Sequence, residues 1–398
     1  MLRFGLEPPY PAVETGVPHC VRNRQSRKEE ENANAEQEGR KKRSQEGIQG
    51  FYVRVRVCDG ILVLRKEEWG MHFRLLGESG PTISEVGLGC WQLGGSDWGE
   101  LGEDEALAIL RTSVESGVNF FDTADVYGLG RSESLIGRFL GESKADVCVA
   151  TKLGRFPEPG WPGNFTEAAF RQHVEASLRR LGVEALDLEQ IHCIPTEEFR
   201  RGDCFDWLRR LKQEGKIRRF GASVESMEEA KICLEQEGLT SLQIIFNIFR
   251  QKPIAALFAE AERRQVALIV RLPLASGLLA GKYRKETQFA AGDHRSYNRD
   301  GQAFNVGETF AGLPFETGVE FADALKPLVP EGLTMAQMAL RWCLDFPAVT
   351  TIIPGAKDSA MASANAAVSA LPSLAPELHT ALTRFYADHV EASVRGPY

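Results

Sequence analysis

Between residues 86 and 370 the chain alternates short apolar, β-branched runs with amphipathic stretches of helical length, and few folds accept that alternation. The strand candidates fall at 86–89, 119–122, 147–151, 186–192, 219–223, 242–247, 267–272 and 350–353. Stretches with an apolar period of about 3.6 separate them, at 104–116, 132–140, 166–181, 204–214, 227–236, 253–264, 335–346 and 359–370. Eight of each predicts an α/β protein built as a (β/α)8 TIM barrel. Gly117, Gly182, Gly215 and Gly238 sit just past helix ends, where a left-handed cap costs glycine least. Residues 72–76 and 82–85 flank Gly77-Glu78-Ser79-Gly80-Pro81 and read as an N-terminal β-hairpin closing one end. Residues 376–389 read as an extra C-terminal helix. The segment 277–326 is too long and too rich in Gly, Asn and charge for a simple turn, and loops of that length in compact barrels are usually functional covers.

The 398 residues thus divide into a barrel at 71–398 and a segment at 1–70 that has no sustained period. Residues 22–49 are dense in Arg, Lys, Glu, Gln and Asn and hold no aromatic, so they cannot bury enough apolar surface to offset the entropy of ordering. Disorder is the physical expectation there, with a short strand considered at 50–57. A second expectation is that translation starts at Met71, because Lys66-Glu67-Glu68 implies purine-rich codons resembling a bacterial ribosome-binding site. The intact mass of the native protein decides between them.

Apolar residues make up 43% of the chain and charged residues 26%, as in ordinary soluble proteins, and no apolar run approaches membrane-spanning length. A net charge of −8 argues against nucleic acid or an anionic membrane surface as the main partner. The cysteines form no C-x-x-C pair and no zinc-finger spacing, which points to reduced thiols and a cytoplasmic location, with no structural zinc.

In a barrel of this kind chemistry collects where strands end, and the second, third and fourth strand candidates each end in an ionisable group. Asp122 and Tyr127 lie in Phe121-Asp122-Thr123-Ala124-Asp125-Val126-Tyr127, Lys152 closes Val149-Ala150-Thr151-Lys152, and His192 closes Gln190-Ile191-His192. Singly, each is more often packing or capping than chemistry. Together they describe a proton-delivery site. A phenol with a pKa of about 10 is a poor acid, and a neighbouring ammonium favours the phenolate and so eases proton release. Asp122 would hold Lys152 charged and aimed, and a neutral His192 would orient a substrate oxygen. Lys152 alone also admits a Schiff-base aldolase, but that lysine must be neutral to attack, and Asp122 opposes it.

These four residues resemble, in order and spacing, the tetrad of the aldo-keto reductase family. The resemblance extends to Gly87-Leu88-Gly89-Cys90-Trp91, to Leu278-Leu279-Ala280-Gly281-Lys282-Tyr283 and to Ile352-Ile353-Pro354-Gly355, and so covers nearly all of 71–398. It implies an enzyme that reduces an aldehyde or ketone with a nicotinamide dinucleotide, Tyr127 giving the proton, without a metal. No strand–GxGxxG–helix unit is present, in keeping with a barrel that binds the dinucleotide without a Rossmann domain.

The same resemblance assigns Ser223 and Gln243 to the carboxamide, Arg271 to the face of the nicotinamide, Leu274 and Ser276 to the pyrophosphate, and Gly355, Lys357 and Asn365 to the adenosine end. Val224 stands where the family often has Asn, Met361 where it often has a base and Ala364 where it often has Glu. Lys357 is then the cation for a 2′-phosphate, which favours NADP(H) over NAD(H). Trp91, Trp98, Phe156 and Trp161 are the expected aromatic wall of a pocket for a small carbonyl or alcohol substrate. The competing expectation, also drawn from the family, is a cofactor-binding redox-sensing or regulatory subunit with little turnover.

Overall fold

The computed structural model describes residues 53–58, 61–66, 70–95 and 97–398. Of the segment 1–70 for which disorder was expected, only 53–58, 61–66 and 70 are among them. The strands are β1 Val53–Cys58, β2 Ile61–Lys66, β3 Met71–Leu75, β4 Thr82–Ser84, β5 Leu88–Gly89, β6 Phe120–Asp122, β7 Cys148–Leu153, β8 Leu188–His192, β9 Phe220–Ser223, β10 Leu239–Ile245, β11 Ala267–Arg271 and β12 Val349–Ile352. The α-helices are α1 Glu103–Glu115, α2 Arg131–Ser143, α3 Glu167–Leu181, α4 Thr196–Arg201, α5 Asp203–Gln213, α6 Met227–Leu234, α7 Ala259–Arg263, α8 His294–Tyr297, α9 Phe315–Leu325, α10 Met335–Leu344, α11 Ser359–Ala366 and α12 Pro376–Phe385.

Strands β5 to β12 form an eight-stranded sheet in sequence order, each neighbouring pair parallel. The sheet closes on itself: Gly87 N–H donates to Ile352 O at 2.8 Å, Gly89 N–H to Pro354 O at 3.1 Å and Ile352 N–H to Glu85 O at 3.0 Å. All eight strands predicted from sequence are present, as are the helices predicted between them. The four glycine stops hold, with φ between 68° and 89°. Three helices were not anticipated. One is the short α4, and the others are α8 and α9, which lie inside the segment expected to be an irregular cover.

The second sheet is antiparallel, in the order β1–β2–β3–β4. The anticipated hairpin is β3 and β4, with Phe73 opposite Ser84 and Leu75 opposite Thr82. Two further strands precede it: Lys66 pairs with Met71 and Leu64 with Phe73. Leu76 and Ile83 of the hairpin pack with Phe120, Ala150, Leu188, Ala267, Ile269 and Ile353, all from barrel strands or their ends. Apolar side chains thus plug the end of the barrel where the strands begin, and the opposite mouth is left for polar groups. A buried ion-pair set fastens the hairpin to the last unit. Glu85 binds Arg74 at 2.7 Å, Arg341 at 3.4 Å and Ser369 at 2.9 Å. Among the described residues no helix is long and apolar enough to cross a membrane.

Candidate active site

Tyr127, Lys152, Asp122 and His192 meet at the C-terminal ends of β6, β7 and β8. Lys152 Nζ, fully buried, is 2.5 Å from Asp122 Oδ1, 2.7 Å from Thr123 O and 3.3 Å from the Tyr127 hydroxyl, and so spends its three donors on these three groups. The second carboxylate oxygen of Asp122 accepts from Gln243 at 2.7 Å and from Gln190 at 3.2 Å. His192 faces the tyrosine edge-on, with ring centroids 5.8 Å apart.

The local fold explains how Tyr127 is aimed. Gly128, at φ 60°, comes so close to the first βα loop that a β-carbon there would stand 2.1 Å from Gly94 O. Only glycine lets the two loops touch in this way. Arg131 at the start of α2 then ties the same loop down through Leu93 O and Leu101 O, at 2.5 and 2.8 Å. As a result Trp91 stacks on Tyr127 at 5.9 Å between centroids and 18° between planes.

Burial pulls the Lys152 amine down, but Asp122 and then Tyr127 outweigh it and hold the amine above the ordinary lysine value. Burial pushes the Tyr127 phenol up to about 12, against the opposing pull of Lys152. This corrects the expectation that the ammonium brings the phenol down, since desolvation of the phenolate is the larger effect. Tyr127 therefore holds its proton at neutral pH, the form a donor needs. Burial, followed by the charges of Arg155, Lys152 and Arg271, pushes His192 well below the usual histidine range, so its ring is neutral.

The residues expected to hold a cofactor divide into two groups. Ser223 is fully buried at the end of β9, opposite His192 and 3.4 Å from the Cys193 sulfur. Arg271, at the end of β11, reaches Val224 O at 3.2 Å and Cys193 Sγ at 3.4 Å. Both lie on the rim that holds the tetrad. Gln243 is there too, but its amide nitrogen is directed at Asp122, which leaves the side-chain oxygen for a ligand. Ser276 needs a correction. Its hydroxyl donates to Glu308 O at 3.4 Å and accepts from Phe310 N–H at 3.0 Å, so the side chain fastens the covering segment and only its backbone is left for phosphate. Leu274 leads into Ala275, Ser276 and Gly277, three successive residues at positive φ, in which the Ala275 and Gly277 N–H groups donate to Leu272 O and Leu274 O at 3.0 and 2.9 Å. Gly355 packs on the Gln92 side chain and is bridged to Gly89, and Asn365 donates to Gly355 O at 3.2 Å. Lys357 is exposed and makes no ion pair among the described residues.

Two of the four expected aromatics lie beside Tyr127. Trp98 meets Trp91 edge-on at 5.5 Å. Trp161, in contrast, is 68% exposed, and the ring partner of Phe156 is His173 of α3, at 5.6 Å. These two belong to the loop after β7, whose closing contact is Asn164 Nδ2 to Phe156 O at 2.6 Å, and their place as pocket wall is withdrawn.

Sequence reasoning missed the groups brought by the covering segment. His294, fully buried, packs at a tilt against Trp91 and Trp98, with ring centroids 4.8 and 4.3 Å away. Asp97 fastens it: the Asp97 backbone oxygen accepts from His294 N at 2.9 Å, one carboxylate oxygen accepts from the Tyr297 hydroxyl at 2.9 Å, and the other accepts from Trp91 Nε1 at 3.0 Å. Removing the carboxylate breaks two hydrogen bonds that set the wall beside Tyr127. Asp97→Ala is expected to raise KM for a carbonyl substrate by about three- to ten-fold, with a smaller change in kcat. Steady-state kinetics checks this, and an unaltered KM refutes it.

A nicotinamide dinucleotide fits the site on one further observation. Gln92 Oε1, His192 Nδ1 and Arg271 Nε are all buried polar atoms without a protein partner. They come from the ends of three different strands at the mouth that carries the tetrad, as a bound polar ligand requires.

Comparison with known proteins agrees with this geometry. The sequence model of the Aldo/keto reductase family matches residues 85–387. An uncharacterized oxidoreductase of Bacillus subtilis, YqkF, is 32% identical over 289 residues, which is 72% of this chain and 87% of that protein. Among solved structures, the holo form of the aldo-keto reductase AKR11C1 from Bacillus halodurans superposes with a TM-score of 0.66 at 26% identity, covering 81% of this chain and 97% of that one. The glycerol dehydrogenase AKR11B4 from Gluconobacter oxydans gives a TM-score of 0.64 at 30% identity, covering 83% and 99%. The chain belongs to the aldo-keto reductase family of NAD(P)H-dependent oxidoreductases.

Proposed function

We propose that the protein reduces the carbonyl of a small aldehyde or ketone to an alcohol, with Tyr127 as the proton donor and NADPH preferred to NADH. The observation that carries this reading is the single ammonium of Lys152 set between Asp122 and the Tyr127 hydroxyl. The bound cofactor supplies a hydride for the carbonyl carbon. Every other part of the step falls to the chain. Tyr127 gives its proton to the carbonyl oxygen, and the phenolate it leaves is stabilised by an ammonium already within 3.3 Å. Asp122 and Thr123 O keep that ammonium in place, and Gln190 and Gln243 keep Asp122 in place. His192, neutral, orients the carbonyl oxygen, and solvent later returns the proton to Tyr127.

For the cofactor, Ser223 and the Gln243 oxygen suit the carboxamide, Arg271 the ring, and the backbone after Leu274, with Ser276, the pyrophosphate. Gly355, Lys357 and Asn365 suit the adenosine end. Among the described residues no carboxylate pairs with Lys357, which suits a 2′-phosphate. Lys357→Ala is expected to weaken NADPH binding about ten-fold and NADH binding by less than about two-fold. Fluorescence titration with both cofactors checks this, and equal losses refute Lys357 as the reader of the phosphate. Reduction of a generic aldehyde with NADPH that is lost in Tyr127→Phe tests the reading as a whole. Cofactor binding without turnover would instead describe a redox-sensing or regulatory subunit, against which the complete tetrad argues.

A further inference from the structure

The rim of the barrel holds an ionic cluster that proton delivery does not use. Arg155 lies in the loop after β7, three residues beyond Lys152, and its Nη1 is 3.1 Å from Glu308 Oε1. Arg271 approaches the same oxygen at 3.6 Å. Glu225, after β9, lies with Glu308 and the Cys193 thiol inside a 4.8 Å group. Burial, then the Glu308 charge, raises Glu225 to about 7, whereas Arg155 and Arg271 overcome burial and keep Glu308 low. The Cys193 thiol is pushed up to about 12 by burial and stays neutral. With Glu225 about half protonated at neutral pH, the charges of Glu308 and Glu225 do not fully offset the two guanidiniums, and the cluster keeps a partial positive charge.

Ring contacts link the cluster to Tyr127. The Arg155 guanidinium stands 5.5 Å from the Phe304 ring, Phe304 packs on Trp91 at 6.1 Å, and Trp91 stacks on Tyr127. Of the nearby charges, Arg155 has the greatest effect on His192. Glu308 occupies only one nitrogen of Arg155. Its Nε and Nη2 make no hydrogen bond among the described residues, and the side chain is 26% exposed. A guanidinium edge with two parallel donors matches a carboxylate in geometry as well as charge.

We propose that Arg155 determines substrate class: its open edge binds a carboxylate borne by the carbonyl substrate, so that the preferred substrates are oxo acids rather than neutral carbonyls. This rests on the carbonyl-reductase reading given above. Arg155 touches the far end of the substrate and takes no part in proton or hydride movement.

The test uses glyoxylate and 4-oxobutanoate, which place the carboxylate at two distances, each against its neutral methyl ester, with NADPH. For at least one length, kcat/KM is expected to favour the acid about ten-fold or more. Arg155→Gln is expected to cut turnover of that acid at least about ten-fold more than turnover of its ester, chiefly through KM, and Arg155→Lys is expected to restore part of the ratio. A residue that only anchors Glu308 would lower acid and ester alike when replaced. The proposal fails if wild-type protein treats acid and ester equally at both lengths, or if Arg155→Gln leaves the acid-to-ester ratio unchanged. If neither acids nor esters are reduced, the carbonyl-reductase reading falls, and this proposal falls with it. If the esters are reduced without preference for the acids, this proposal alone falls.

Discussion

Tyr127→Phe is expected to lower kcat/KM for carbonyl reduction by about 10²–10⁴-fold, the usual contribution of a positioned general acid, while NADPH affinity changes by less than about two-fold. The hydroxyl is the one group at the site that is protonated at neutral pH and also within reach of an ammonium able to stabilise the anion it leaves. His192 cannot replace it, because burial and the neighbouring cations keep that ring without its second proton. Lys152 cannot replace it either, since its three donors go to Asp122, Thr123 O and Tyr127 itself. The substitution keeps the ring that stacks on Trp91, and Lys152 retains two oxygen partners, so fold and pocket shape persist. Single-turnover reduction and a fluorescence titration of NADPH separate the two quantities. A phenylalanine variant with more than about a tenth of wild-type turnover would remove Tyr127 as the donor.

The order and approximate place of each strand of the barrel were legible in the sequence because periodicity is a local property, as the runs at 147–151 and 267–272 illustrate, although the start of β10 is three residues earlier than predicted. The tetrad was legible for a related reason. In a parallel barrel every strand delivers its last residue to one rim, so the positions of Asp122, Lys152 and His192 in their own segments already imply that they meet. The contribution of the covering segment was not legible. Asp97 and Tyr297 are 200 positions apart in sequence, and no pattern announces that a loop returns to the first βα turn. The α9 helix did leave a trace, since Phe315, Val319, Ala322 and Leu325 are buried along one helical stripe, but the glycine- and asparagine-rich residues before it hid the change of period. Trp161 failed for the converse reason: an aromatic side chain in a rim loop reads as pocket wall until the path of that loop is known. The phenol pKa was misjudged because sequence shows which charges are near and not how much water is lost, and at Tyr127 the loss of water is the larger effect.

Lys152→Met should produce the largest loss of stability of any single substitution at the site, roughly 3–5 kcal/mol, in addition to loss of turnover. The reasoning concerns what is left behind more than what is removed. Asp122 is 2% exposed, and the amine at 2.5 Å is the only cation bonded to it among the described residues. Methionine fills much of the lysine volume, so the packing of the barrel interior is largely kept, but it leaves a carboxylate in a low-dielectric site with only the amides of Gln190 and Gln243 to face it. Adding Asp122→Asn to Lys152→Met removes that uncompensated charge and is expected to recover about half of the lost stability, because breaking a buried ion pair costs more than replacing both partners. Turnover should stay lost in the double variant, since no cation is then present to stabilise the Tyr127 anion. Urea denaturation of the three proteins measures the first effect and aldehyde reduction the second. A Lys152→Met protein as stable as wild type, or a double variant no more stable than the single, would show that the ammonium is not what compensates the buried charge of Asp122.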